Sequence, residues 1–185
     1  MMIGWNHLLA ATVVVTGVAA GFDLKTGHIP NWLNFGALAA GPVLHLAIGW
    51  HEAGARVGFE AAGFSVTGAL VCALVPMFLY RADAIGGGDV KLLAAVGAIL
   101  RPMLGIEAEF YAFLAAAIFA PARLAWEGKL LKTLGNTMAL ALNPVLPKDK
   151  RRVIPKEAMT SLRFGPAIAV GVVVTSVLHW RLGSR

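Results

Sequence analysis

Two aspartates stand where strongly apolar runs meet short polar segments. Asp23 lies in Phe22-Asp23-Leu24-Lys25-Thr26-Gly27-His28-Ile29-Pro30-Asn31, and Asp89 in Gly86-Gly87-Gly88-Asp89-Val90-Lys91. The chain has only 10 acidic residues, and an ionisable group at an apolar boundary marks a functional site by default. A pair of carboxylates can hydrolyse a peptide bond. One, charged, takes a proton from water; the other, protonated, donates to the scissile carbonyl oxygen. Two like charges within a few ångström resist ionising together, so such a pair shares one proton. Its titration belongs to the dyad rather than to either member. Either aspartate can serve as the base.

The neighbours of the pair have both chemical and structural readings. Gly86, Gly87 and Gly88 let the backbone approach an extended substrate closely and adopt positive φ. Read structurally, they form a flexible turn, with Asp89 as the N-cap of a helix that begins at Val90. Asp23 then becomes an interfacial carboxylate paired with Lys25. Lys91 reads as an anchor reaching for the interface, and it can also tune Asp89. His28 is available to touch a substrate. Glu60 reads as an interfacial carboxylate and His45 as a packed histidine. There is no His-Glu-x-x-His, no Ser/Lys or Ser/His pairing and no Walker-type loop, so neither a metal nor a cofactor is expected. The single Cys72 excludes an intrachain disulfide and a Cys-cluster metal site.

The elements that must position these residues are membrane helices. Of the 185 residues 58% are hydrophobic and 14% charged, against about 25% charged in a soluble domain. Mean hydropathy is +0.72. This implies one all-α integral membrane domain over residues 1–185. Six apolar runs approach the ~20 residues that cross ~30 Å of hydrocarbon. They are Trp5–Phe22, Trp32–Trp50, Val57–Tyr80, Val90–Ile106, Ala108–Trp126 and Phe164–Trp180. The fourth is the weakest, because its clean run ends at Leu100 before Arg101-Pro102; it crosses with Arg101 at the far interface or it re-enters. Trp5, Trp32, Trp50, Trp126 and Trp180 fall near run ends, as interfacial belts require. The segment before Leu8 has no Lys or Arg, so it lacks the basic start of a signal peptide.

Charge orients the bundle. With the N-terminus outside, the cytoplasmic segments hold Lys25, Arg81, Lys91, Arg123, Lys129, Lys132, Lys148, Lys150, Arg151, Arg152, Lys156 and Arg163. The outer segments hold Arg56, Arg101, Arg181 and Arg185. These 12 and 4 account for all 16 basic residues, which predicts N-out and C-out. Asp23 and Asp89 then share the cytoplasmic face, as a dyad needs. The loop 127–163 contains Leu130–Leu146, apolar but interrupted, which reads as an amphipathic helix in the interface. The basic run Lys148-Asp149-Lys150-Arg151-Arg152 that follows suits anionic lipid headgroups. The net charge of +6 therefore speaks to lipid and topology, and no basic stretch alternates with aromatics as nucleic-acid binding would require. Gly17-x-x-x-Gly21, with Gly63 and Gly68, offers close helix packing. No feature sets an oligomeric state.

Taken together, the two motifs resemble those of the type IV prepilin peptidase family, polytopic aspartic proteases of the Gly-x-Gly-Asp type. Asp23, Ile29, Pro30, Asn31 and Trp32 match the first family block, and Gly86, Gly88, Asp89, Lys91 and Leu92 the second. Arg163-Phe164-Gly165-Pro166-Ala167-Ile168-Ala169 is similar to the segment that opens the last span. The resemblance implies that Asp23 and Asp89 are catalytic and that Pro30, Asn31, Gly86, Gly87, Gly88 and Lys91 support them. It implies a prepilin or pseudopilin substrate in the prokaryotic inner membrane, with a basic cytoplasmic leader, a glycine at the cleavage boundary and an apolar helix. The paired cysteines of the larger, methylating members are missing, so the chain resembles the compact Flp/Tad-pilus form and methyl transfer is not expected. The family also includes archaeal preflagellin peptidases. Two other classes fit the pair of aspartates: a small proton-coupled transporter, and a silent assembly factor for a pilus or secretion system. Transporter sites lie near the midplane, commonly between inverted repeats, whereas both aspartates lie near one interface and no repeat is visible. An activity assay separates the assembly factor.

Overall fold

The computed structural model describes residues 5–126 and 163–180, with 128, 131, 133 and 135. Among them every regular element is helical: α1 Trp5–Thr26, α2 Asn31–Ala53, α3 Ala55–Arg81, α4 Gly87–Trp126 and α5 Gly165–Trp180. The first four are long and apolar enough to cross a bilayer, while α5 has 16 residues. The chain divides into two compact units, Met1–Ala116 with Arg163–Arg185, and Ala117–Leu162. Both aspartates belong to the first. The expected interfacial helix and basic run of the loop 127–163 lie outside the described residues, apart from 128, 131, 133, 135 and 163.

Short connections fix which helix ends meet. Gly27 closes α1 at φ +67°, and its N–H donates to the Asp23 carbonyl at 2.9 Å; a left-handed residue is a common helix terminator, and glycine takes it without strain. Pro30, with φ −61° and ψ 136°, then caps α2, its carbonyl accepting from Leu33 and Asn34. Gly54 alone joins α2 to α3.

The expected fourth and fifth spans form α4, interrupted by Arg101 at φ 64° and ψ 172°. That backbone region belongs almost entirely to glycine and costs a non-glycine residue about 1–3 kcal/mol. A Cβ on Gly105 would lie 2.9 Å from Gly97 Cα, although residues so spaced on a straight helix are about 12 Å apart. The chain therefore reverses at Arg101, and the start of the second arm, 102–126, folds back against the first, 87–100. The first arm is about 21 Å long, shorter than the ~30 Å hydrocarbon core.

This first arm, the weakest run by sequence, is the centre of the unit. Leu92 to Leu100 are buried without interruption, as befits a helix that is apolar all round. Glycines let its neighbours reach it. A Cβ on Gly68 of α3 would lie 2.1 Å from the Gly97 carbonyl oxygen, one on Gly41 of α2 2.7 Å from Ala98, and one on Gly171 of α5 2.4 Å from the Ala108 carbonyl of the second arm. Leu8 of α1 and Ala37 of α2 pack with Ala95 and Ile99. The packing forecast for Gly17, Gly21 and Gly63 is not found among the described residues, where a Cβ on any of them meets nothing within 4 Å. Small residues permit close approach but do not choose which neighbour arrives, and only Gly68 of those forecast faces a helix.

Candidate active site

Asp23 sits one turn before the end of α1, and Asp89 in the first turn of α4. Both are buried, with 6% and 7% of their surface exposed. They line one cavity of about 250 Å³, together with Gly27, His28, Ile29, Asn31, Gly86, Gly87, Gly88 and Lys91. Residues distant in sequence thus share one pocket, because the ends of α1 and α2 and the start of α4 converge there.

Each carboxylate is held by a backbone donor at a helix N-terminus. The Gly86 N–H donates to Asp89 Oδ2 at 3.0 Å, while the Asp89 N–H donates to the Gly86 carbonyl at 3.1 Å. Asp89 is therefore the third residue of α4, reaching back in half of a capping box, and Gly86 occupies the capping position expected of Asp89. For Asp23 the donor is the N–H of Gly165, the first residue of α5, at 3.0 Å from Oδ2. The carboxylate satisfies an N–H that the helix start leaves unpaired, at the positive end of the helix dipole. Its partner is this backbone group rather than Lys25.

The segment ahead of α5 is tied to the site by three contacts. The Arg163 guanidinium donates through Nη1 to the Leu24 carbonyl at the end of α1, a favourable place for a cation. Phe164 is buried and its ring lies 5.4 Å from that of Phe113. Gly165 is pressed so closely on Asp23 that a Cβ would lie 2.9 Å from both Asp23 Cβ and Oδ2. Sequence reasoning missed the role of Gly165; the signal was a glycine at a helix start directly after an Arg-Phe pair.

The supporting residues are placed as follows. Lys91 Nζ donates to Asn31 Oδ1 at 2.9 Å and lies 5.0 Å from the centroid of the Phe35 ring. Asn34 Nδ2 donates to the Gly88 carbonyl at 3.2 Å, tying α2 to the glycine loop. Gly86, Gly87 and Gly88 are absent from the positive-φ glycines among the described residues. The loop uses their lack of side chains instead: a Cβ would lie 3.2 Å from Asp89 Oδ2 at Gly86, 3.4 Å from Tyr80 at Gly87 and 3.3 Å from Ile29 at Gly88. Pro30 shapes the start of α2, and His28 lines the cavity.

Other polar residues lie away from the cavity. Glu60 is exposed and pairs with Arg56 at 2.9 Å. His45 is buried and bound to Ile99 and Arg101. Glu109, unremarked in the sequence, is buried in α4, with Oε1 lacking a hydrogen-bond partner among the described residues; its carboxylate inside an apolar run was the signal. Among the described residues no three His, Cys, Asp or Glu side chains gather into a possible metal site.

Four long apolar helices among the described residues, with a buried pair of aspartates in one cavity at converging helix ends, define a multi-pass membrane protein. The chain belongs to the type IV leader peptidase family, whose model matches residues 10–121. That stretch holds both aspartates, while Gly165 and α5 lie beyond it. Searches of curated proteins and of solved structures give no match.

Proposed function

We propose that the chain is an aspartic endopeptidase that removes the basic leader of prepilin-like substrates at the cytoplasmic face of the prokaryotic inner membrane. The observation that carries this reading is the sharing of one cavity by the buried Asp23 and Asp89. Each has one oxygen engaged by a backbone N–H, which orients the carboxylate and leaves the other oxygen for water or substrate. One aspartate accepts a proton from the attacking water, and the other donates to the scissile carbonyl oxygen. Fixed backbone donors need no rearrangement during the reaction. Gly86 to Gly88 leave room for an extended peptide, and Lys91, held by Asn31, keeps a positive charge at the rim.

The reversal at Arg101 supports counting the two arms of α4 as separate spans, the short first arm crossing with Arg101 reaching for the far interface, and the distribution of Lys and Arg supports N-out and C-out. The domain is then residues 1–185, with 127–163 as a cytoplasmic loop whose basic run meets anionic lipid. Cysteines replacing Lys25 and His51, both exposed, should label from opposite faces with an impermeant thiol reagent; Cys72 is fully buried. The function itself is tested by incubating the purified protein with prepilin-like precursors and measuring product masses. A cut after the leader glycine is expected. Intact precursor with a folded, reconstituted protein would reject the reading.

A further inference from the structure

Asn34 is a polar side chain with 0% of its surface exposed, one turn into the apolar α2. Its amide is an odd choice for the fold alone. One end faces the Gly88 carbonyl at 3.2 Å; a carbonyl only accepts, so that end is the Nδ2 donor. Oδ1 is then buried with no partner among the described residues. An unsatisfied buried acceptor costs at least what one hydrogen bond returns, so the amide adds no net stability. Nor does the Gly88 carbonyl need it, since the helix pattern of α4 gives that carbonyl the Leu92 N–H.

What the amide does is fix a place. The peptide unit joining Gly88 to Asp89 is held at both ends: its carbonyl by Asn34, and its N–H by the Gly86 carbonyl at 3.1 Å. Asn31 and Asn34 are three residues apart on α2 and share a face. Their partners, Lys91 and Gly88, are also three apart and stand on either side of Asp89 in the chain. Ile29, just ahead of α2, closes on the same loop, 3.3 Å from where a Cβ of Gly88 would lie. The start of α2 thus grips the start of α4 around the aspartate.

We propose that Asn34 is a positioning residue for Asp89: through the Gly88 carbonyl it holds the Gly88–Asp89 peptide, and with it the carboxylate, at the geometry that the reaction needs. Asn34 does not itself line the cavity. This inference rests on the peptidase reading and adds a residue outside the cavity on which the rate of the chemical step depends.

The test is Asn34→Leu, which keeps the branched shape and removes both polar atoms. In the full-length protein in detergent, deuterium exchange is followed by mass spectrometry of peptides. Exchange over residues 86–90 is expected to speed up about fivefold or more, the loss of one hydrogen bond, while residues 92–100 and α5 keep their protection. The thermal midpoint should not fall. With a prepilin-like precursor, kcat should drop about tenfold or more and KM stay within about twofold, as expected for a displaced reacting group. Asn34→Asp restores a donor, because a buried carboxyl stays neutral, and it should bring both exchange and kcat back to within about threefold of the unaltered protein. If the leucine variant does not fold, Asn34→Ala takes its place and is read in the same way. Exchange that is unchanged, or faster by the same factor in every helix, overturns the proposal, as does an unchanged kcat or an aspartate variant no better than leucine. The exchange arm needs no catalysis. If the unaltered protein cuts no precursor, the peptidase reading falls, and exchange alone decides whether Asn34 holds the Gly88–Asp89 peptide.

Discussion

The first arm of α4 has a buried polar cluster at each end, and the two are built on different principles. At the Arg101 end the polar groups answer one another. Pro102 has no N–H to give the Ala98 carbonyl, and Ser65 Oγ donates to it instead at 2.6 Å. His45 Nε2 lies 2.9 Å from the Ile99 carbonyl, which can only accept, so that nitrogen carries the proton; Nδ1 then accepts from Arg101 Nη2 at 3.1 Å. Arg101 Nε lacks a partner among the described residues, while the guanidinium carbon lies 5.9 Å from the centroid of the Phe64 ring. At the Asp89 end, each aspartate gives one oxygen to a backbone N–H and faces a cavity of about 250 Å³. Burial of a polar side chain in a helical bundle therefore does not mark function. What separates the two clusters is whether the hydrogen bonds close on the protein or leave capacity facing a cavity.

The sharpest break between the clusters is expected from Asp23→Asn and Asp89→Asn. An amide keeps an oxygen for the Gly165 or Gly86 N–H but cannot act as general base or share the acidic proton. Leader cleavage should fall by about 10³-fold or more, with a thermal midpoint in detergent no lower than that of the unaltered protein. A variant that keeps substantial cleavage would remove the aspartates from the chemistry.

Gly165→Ala comes next. Its Cβ would lie 2.9 Å from Asp23 Cβ and Oδ2, so the start of α5 or the carboxylate must move. A displacement approaching 1 Å at a reacting group costs about 10²-fold, and cleavage should fall by that order with KM little changed. Product mass spectrometry at saturating precursor reads the effect. Full activity would mean that the α5 N-terminus does not position Asp23.

How much of this was legible follows from the kind of signal each part gave. Helical class and the aspartate pair were readable, because apolar run length and a charged residue at a run's edge are local properties. The break at Arg101 was half-legible: Arg-Pro warned of an interruption, but the backbone at φ 64° depends on α2 and α3 supplying His45 and Ser65. The same dependence hid the central position of the 87–100 arm, which by sequence was the weakest of the six spans. Gly165 was read only as part of the family-like segment 163–169 and not as a site residue, since its N–H serves Asp23 across 142 positions of chain and its one mark in the sequence is the absence of a side chain. The structural reading of Asp89 as the N-cap missed by three residues for a different reason. Three glycines shift the helix start to Gly87, and the side chain then reaches back instead of forward.

His45→Ala should invert the pattern of the aspartate variants. It removes a donor to Ile99 and an acceptor for Arg101 and leaves a void. The loss of stability should be about 2–4 kcal/mol, read as a lower midpoint in detergent. The folded fraction should cut precursor within about threefold of the unaltered rate, because the altered end lies about 20 Å from Asp89. Cleavage abolished at full stability would bring His45 into the chemistry and erase the contrast.

The smallest effect tests the contrast most finely. Ser65→Ala deletes one hydroxyl, fully buried, that donates to the Ala98 carbonyl. Proline at 102 offers that carbonyl no replacement, so an acceptor is left buried and unsatisfied, at a cost of about 1–2 kcal/mol. Ser65→Cys nearly keeps the volume while weakening the donor, and it should fall between the parent and Ser65→Ala. The order parent, cysteine, alanine in thermal midpoint, with leader cleavage unchanged throughout, is the signature of a hydrogen bond that serves only the fold. If Ser65→Ala left the midpoint untouched, the Ala98 carbonyl would have another donor, and closure of the Arg101 cluster would not be what holds the break in α4.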